Sequence, residues 1–169
     1  MRLVRENAQR DELLEPFEAY LRDRGAELFE PGTPLTVGRG PARVDCMGGI
    51  ADYSGSVVFE GPLRHAAVVA FQPRDDTLLR ARSATFQAEG RPCDVQVDLA
   101  DLRDGGRLKP YGELRTLLTA DAQSAWAAYV LGVLPVLERE EGVRFERGGT
   151  FLLWSDIPIG VGVASSAAV

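Results

Sequence analysis

Along the first part of the chain the hydrophobic positions repeat first at helical and then at strand spacing. In residues 11–24, Leu13, Leu14, Phe17, Tyr20 and Leu21 recur at short helical intervals, which predicts an amphipathic helix with a solvated charged face and Gly25 as its stop. A linker, Glu30-Pro31-Gly32-Thr33-Pro34, leads into residues 35–39 and a short strand around 43–47. Further strands are expected at 56–60, 66–72, 78–83, 85–89 and 95–99. Short strands at this density point to an antiparallel-rich sheet. Residues 101–112 are polar and glycine-containing and read as a surface loop. From 122 to 139 the period is helical again: Trp126, Tyr129, Val130, Val133 and Leu134 share one face, and Pro135 should bend or split the helix. Residues 147–156 read as a last strand. The mixture defines an α+β class, with one domain over residues 1–169.

That last strand runs into Ile157-Pro158-Ile159-Gly160-Val161-Gly162-Val163-Ala164-Ser165-Ser166-Ala167-Ala168-Val169, a small-residue loop entering a helix. Gly160 and Gly162 let backbone approach an anion closely, and Ser165 and Ser166 fall where a first helical turn offers free N–H groups and hydroxyl donors. A plain strand-to-helix turn would use the same small residues. A Walker-type phosphate loop is excluded, because it needs a lysine directly after its last glycine and the one lysine here is Lys109. The chain stops one turn into the expected helix, too short to bury a face, so the sequence reads as part of something longer.

A second motif is Gly40-Pro41-Ala42-Arg43-Val44-Asp45-Cys46-Met47-Gly48-Gly49-Ile50-Ala51-Asp52-Tyr53-Ser54-Gly55. It reads as a strand, a glycine-rich bend and a Ser-Gly turn into Val57-Val58-Phe59. A buried strand carrying Arg43, Asp45 and a nearby Asp52 is unusual, since charges are seldom buried without partners. Cys46 reads as a small core residue of that strand. His65, before an apolar run, reads as structural.

Together these segments resemble the GHMP kinase superfamily, and within it the galactokinase branch. Residues 41–53 align with the galactokinase string Pro-Gly-Arg-Val-Asn-Leu-Ile-Gly-Glu-His-Thr-Asp-Tyr, and residues 158–167 with Pro-x-Gly-x-Gly-Leu-Ser-Ser-Ser-Ala. Residues 126–133 resemble a Trp-x-Asn-Tyr-Val-x-Gly-Val helix, with Ala128 replacing the asparagine. The departures carry information. Asp45 stands for the usual Asn, and Gly49-Ile50-Ala51 stand where galactokinases have Glu-His-Thr, a string similar to the kinase part of L-arabinokinases. In galactokinases that Glu and His help bind the sugar's exocyclic hydroxymethyl group, which arabinose lacks. Polar groups left unpaired in a dry pocket would cost on the order of 1–3 kcal/mol each, so Gly49 and Ile50 fit a pentose.

The resemblance implies the N-terminal domain of such a kinase, similar to domain 2 of ribosomal protein S5, without the ferredoxin-like C-terminal half. It implies transfer of the γ-phosphoryl group of ATP to the anomeric hydroxyl of a sugar, with Mg²⁺ as cofactor. Gly160, Gly162 and Ser165 would cradle the phosphates, and Ser166 would coordinate Mg²⁺. Ala164 replaces a serine of many galactokinases and removes one hydroxyl. Arg43 would stabilise charge on the transferring group; its alternative is a structural ion pair with Asp45 or Asp52. Asp52 would accept from sugar hydroxyls, or cap the following turn. Gly48 and Gly49 would let backbone near the sugar, or serve only the bend. Trp126 and Tyr129 match residues near adenine, or belong to the core. The aspartate that orients or deprotonates the sugar hydroxyl would lie beyond residue 169, so little kinase activity is expected of these residues alone.

Composition narrows the field further. A net charge of -6 supplies no basic field for nucleic acid or an anionic membrane, which argues against an S5-like nucleic-acid module. Two cysteines form neither a metal pattern nor a disulfide framework, as in a reducing cytoplasm. No apolar run nears the length of a membrane span. A non-catalytic sugar or nucleotide sensor with the same ligand sites is the rival reading.

Overall fold

The computed structural model describes residues 14–48, 51, 54–160 and 162–169. Among these, strands β1 (Thr36–Met47), β2 (Phe59–Pro73), β3 (Leu78–Ser83), β4 (Asp94–Asp98) and β7 (Gly149–Ser155) form a sheet of order β1-β2-β7-β3-β4. Every neighbouring pair is antiparallel except β3 with β7. A two-stranded ribbon, β5 (Arg103–Asp104) with β6 (Arg107–Leu108), stands beside it. The α+β class is thus observed, with helical layers on both faces of the sheet.

The side-chain alternation of strands explains the layering. Val68 and Ala70 of β2 and Leu152 of β7 pack with Phe17 of helix α1 (Leu14–Tyr20) and with Leu21, Leu28 and Phe29. Leu79, Ala81 and Phe151 point the other way, against Leu114 of α3 (Tyr111–Leu118), Val130 and Leu131 of α4 (Ala128–Leu131) and Leu134 of α5 (Val133–Glu140). Central strands covered on both faces need continuous apolar runs, and Ala66 to Ala70 is such a run. The linker after α1 is held by the buried amide of Gln72, which accepts from the Glu30 N–H at 2.7 Å and donates to the Glu30 and Thr33 carbonyls, both at 3.1 Å.

Several expectations are corrected. Residues 35–39 and 43–47 are one strand, β1, and 56–60 and 66–72 merge into β2, which starts only at Phe59. A bulge hides this continuity: Pro41 faces Ala66 while Arg43 faces Pro62, so four steps of β2 oppose two of β1. The expected strand at 85–89 is helix α2 (Ala84–Ala88), because the Ser83 hydroxyl caps it by accepting the Phe86 N–H at 3.2 Å. Residues 101–112 contain the β5–β6 ribbon and the start of α3, which the loop reading missed. The helix at 122–139 is a 3₁₀ turn (Ala125–Ala127) followed by α4 and α5, and the break falls at Gly132. Pro135 sits in the first turn of α5, where no hydrogen bond is lost. Of the face expected there, Tyr129 and Val133 are exposed while Val130 and Leu134 are buried. The first helix is α-helical only to Tyr20 and continues as a π turn (Leu21–Gly25). Cys46 is exposed, not core, because the end of β1 is an uncovered edge strand.

Surface charge pins the opposite edge. Asp94 accepts from Arg80 at 2.7 Å and from Arg82 at 2.5 Å, and Arg82 also reaches Glu27 at 2.8 Å. Burial pushes the Asp94 carboxyl up, but hydrogen bonds and charge from the two arginines outweigh it and hold the group below its ordinary 3.8. A depressed carboxylate stabilises the fold fully above its unfolded pKa, and that contribution is lost as pH falls through the folded value. Asp94→Asn is therefore expected to flatten the loss of melting temperature between about pH 4 and pH 2 in thermal melts of both proteins. Parallel acid profiles would contradict the pairing.

The strand also carries a packing test. A Cβ built on Gly40 would lie 2.2 Å from the Ala168 carbonyl oxygen, whereas one on Gly38 meets nothing within 4 Å. Gly40→Ala is expected to destabilise the fold by about 1–3 kcal/mol, and Gly38→Ala to change it by less than about 0.5 kcal/mol. Denaturant melts of the two variants measure the difference, and equal effects would contradict the close approach.

Candidate functional site

The bulge, two extra residues of β2 opposite Ala42, lies where the edge strand β1 meets the segment that follows β7. After Ser155 the chain turns at Asp156, whose Oδ1 accepts the Ala66 N–H at 2.8 Å and whose Oδ2 faces His65 Nδ1 at 3.0 Å. Ile157 is then buried with Ala42 of β1 and Ala67 of β2, and Val163 and Ala168 pack onto the same cluster. The Arg43 N–H donates to the Val163 carbonyl at 3.3 Å. Two motifs more than a hundred residues apart in sequence thereby share one edge of the sheet.

The loop's shape depends on left-handed backbone. Gly160 (φ +79°) and Gly162 (φ +77°) adopt it without penalty, and Ala164 (φ +54°) adopts it without glycine's freedom. Among the described residues, a Cβ on either glycine would meet no atom within 4 Å beyond its own chain neighbours, so these glycines answer to backbone conformation and not to crowding. Ser165 and Ser166 begin helix α6 (Ser165–Ala168), as expected, with Ser166 exposed. Four residues add little of a helix dipole, so any anion affinity rests on loop amides and hydroxyls.

At the far end of β1, Gly48 has φ +122° and its Cβ would fall 2.4 Å from Val58 Cγ1, so both backbone and space demand glycine. The bend beyond it is stitched to Ala51, whose N–H donates to the Gly48 carbonyl at 2.7 Å and whose carbonyl accepts the Ser54 hydroxyl at 2.7 Å. Gly49, Ile50 and Asp52 lie outside the described residues, as does Val161.

Arg43 pairs with Glu60 at 3.1 Å and not with Asp45, while its other expected partner, Asp52, lies outside the described residues. The sequence held no signal for this contact, because the bulge decides which β2 residue lies diagonal to Arg43. Trp126 and Tyr129 have different fates. Trp126 packs edge-on against Phe86 with ring centres 5.7 Å apart, and its buried indole N–H has no acceptor among the described residues. Tyr129 is 56% exposed. His65 lies within β2, paired with Asp156. No cluster of three or more His, Cys, Asp or Glu side chains able to hold a metal occurs among the described residues. The Ser166 hydroxyl fits Mg²⁺ only as one ligand beside phosphate oxygens, the usual way that ion is carried. No helix of the described residues is long and apolar enough to cross a membrane.

No family model matches the chain. Among curated proteins it is 40% identical to an L-arabinokinase of Arabidopsis thaliana, over 88% of this chain and 17% of that protein. It is 35% identical to a galactokinase of Streptomyces coelicolor, over 87% of this chain and 32% of that protein. Among solved structures its fold matches a galactokinase of Lactococcus lactis complexed with galactose, with a TM-score of 0.63 and 24% identity, covering 92% of this chain and 34% of that one. It also matches the Methanococcus jannaschii mevalonate kinase, with a TM-score of 0.59 and 13% identity, over 82% of this chain and 38% of that one. Along most of its length the chain is thus similar in sequence to an L-arabinokinase and to galactokinases, and it has the fold shared by the galactokinase and mevalonate kinase structures. It spans less than a third of the length of either curated relative.

A left-handed position in open space gives a clean test of the loop. Gly162→Val is expected to leave the sheet folded while abolishing binding of ATP with Mg²⁺, because a β-branched residue disfavours that backbone by roughly 1–2 kcal/mol and fills the opening. Calorimetry on the full-length wild type and variant measures it. Equal affinities in two folded proteins would remove this loop from the nucleotide site.

Proposed function

We propose that the full-length protein is an ATP-dependent sugar 1-kinase, with L-arabinose the best-fitting substrate. The observation that carries the reading is the hydrogen bond from the Arg43 backbone N–H to Val163 of the glycine loop, which brings the strand that carries the cation to the loop, since phosphoryl transfer needs a cation and a phosphate cradle at one place. In this reading the loop amides around Gly160, Gly162 and Ser165 hold the phosphates of ATP. Ser166 would offer its hydroxyl to Mg²⁺, and the ion would supply charge neutralisation of the phosphates. Exposed Tyr129 offers a ring face to the base, with Trp126 packed behind it on the same turn.

At the other end of β1, Gly48 brings backbone to the sugar, with Gly49 beside it and Asp52 accepting from ring hydroxyls. Arg43 lies between the two ends. As the bond from the γ-phosphorus to its bridging oxygen lengthens and the anomeric oxygen approaches, charge grows on the equatorial oxygens, and a fixed guanidinium lowers that barrier. The sugar hydroxyl's proton passes, on the family resemblance, to an aspartate beyond residue 169.

Substrate choice rests on Gly49 and Ile50. With no Glu-His clamp and a bulky Ile50, the full-length protein should show kcat/KM for L-arabinose about 10-fold or more above that for D-galactose. Gly49→Glu with Ile50→His should narrow or reverse the ratio. Steady-state kinetics with both sugars measure it. A preference for galactose would overturn the pentose assignment, and binding of sugar and ATP without turnover would favour the sensor.

A further inference from the structure

Glu60 is a residue that the family motifs leave unassigned. It stands opposite Asp45 across the β1–β2 ladder, while Arg43 stands opposite Pro62, so Glu60 and Arg43 are diagonal neighbours on one face. Long side chains bridge such diagonals. Here Arg43 Nη1 meets Glu60 Oε2 at 3.1 Å. The carboxylate is the inner end, with its side chain 18% exposed, and the guanidinium is the outer end, 43% exposed.

Two further facts separate this pair from an ordinary surface bridge. Glu60 Oε1 is buried with no hydrogen-bond partner among the described residues. A half-satisfied buried carboxylate is a poor stability device, since an apolar residue of similar volume would serve the fold as well or better. The pairing is also through one oxygen only, and a guanidinium has five donors, so most of the Arg43 N–H groups remain available to a ligand. Meanwhile the Arg43 backbone is tied to the glycine loop through Val163.

We propose that Glu60 is a positioning residue for Arg43: it fixes the guanidinium at the edge shared by the loop and the strand, with its free donors facing the transferring phosphoryl group. The inference rests on the sugar-kinase reading. A guanidinium misplaced by about 1 Å can cost up to about 10²-fold in rate, so small errors of aim matter.

The test is a double-mutant cycle in the full-length protein, using Glu60→Ala, Glu60→Gln, Arg43→Ala and the double variant Arg43→Ala with Glu60→Ala. Glu60→Ala is expected to lower kcat by about 10- to 100-fold, with KM for sugar and ATP within about 3-fold of wild type. Glu60→Gln keeps an acceptor for Arg43 and should recover part of the loss. In the Arg43→Ala background, removing Glu60 should cost nothing more, because its effect passes through the arginine. An unchanged kcat in Glu60→Ala, a loss confined to KM, or a double variant reduced by the full product of the single losses would overturn the proposal.

A second measurement separates its failure from that of the kinase reading. The Arg43 side-chain ¹⁵N–¹H resonances, identified by their absence from Arg43→Ala, should shift and exchange faster with water in Glu60→Gln. Unchanged resonances would overturn the positioning role whatever the activity. Absence of sugar phosphorylation by wild type, with the resonances shifting as stated, would overturn the kinase reading and leave Glu60 as the group that sets the arginine's aim.

Discussion

The closeness of β1 to the end of the chain is the constraint on which the site depends. Ala42, Ala67 and Ile157 are buried together, and the Ala168 carbonyl lies where a Cβ on residue 40 would be. Any side chain at Gly40 pushes α6 outward, and with it the loop whose Val163 carbonyl accepts from Arg43. Close packing transmits such a displacement because the interior has little free volume to absorb it. The small residues of both motifs thus serve two ends at once. They let backbones meet, and they leave the outer side of the loop open.

Around this contact the sheet supplies rigidity. Helical layers cover both faces of its middle strands, and Asp156 ties the root of the loop to β2 through Ala66 and His65. The loop itself is held at Val163, which packs beside Ala42 and accepts from the Arg43 N–H. Its two glycines and Ala164 take left-handed conformations that only a defined surrounding maintains. A rigid platform carrying an open, small-residue loop is the arrangement expected of a site that closes on a charged ligand.

Much of this was legible in the sequence, and the failures have physical causes. The glycine loop, the strand at 78–83 and the helix beginning at Ser165 announce themselves locally, through left-handed glycines, alternation and small capping residues. Residues 85–89 alternate like a strand over too few positions to decide, and the Ser83 cap settles them as helix. Cys46 and Tyr129 carry apolar periodicity onto surfaces that the sheet's edge and the break at Gly132 turn outward. Glu60 was invisible because its meeting with Arg43 follows from the two-residue bulge, a tertiary event with no sequence motif. Gly49, Ile50 and Asp52, on which the proposed sugar choice rests, are read from sequence and resemblance.

The central claim is that one ligand engages both motifs at their shared edge. Amide hydrogen exchange of the full-length protein, with and without ATP and Mg²⁺, tests it most directly. The Arg43 amide and those of residues 162–166 are expected to slow together on adding nucleotide, while the amides of β4 at the far edge stay unchanged. Protection confined to the loop with Arg43 unaffected, or no protection in either, would contradict it.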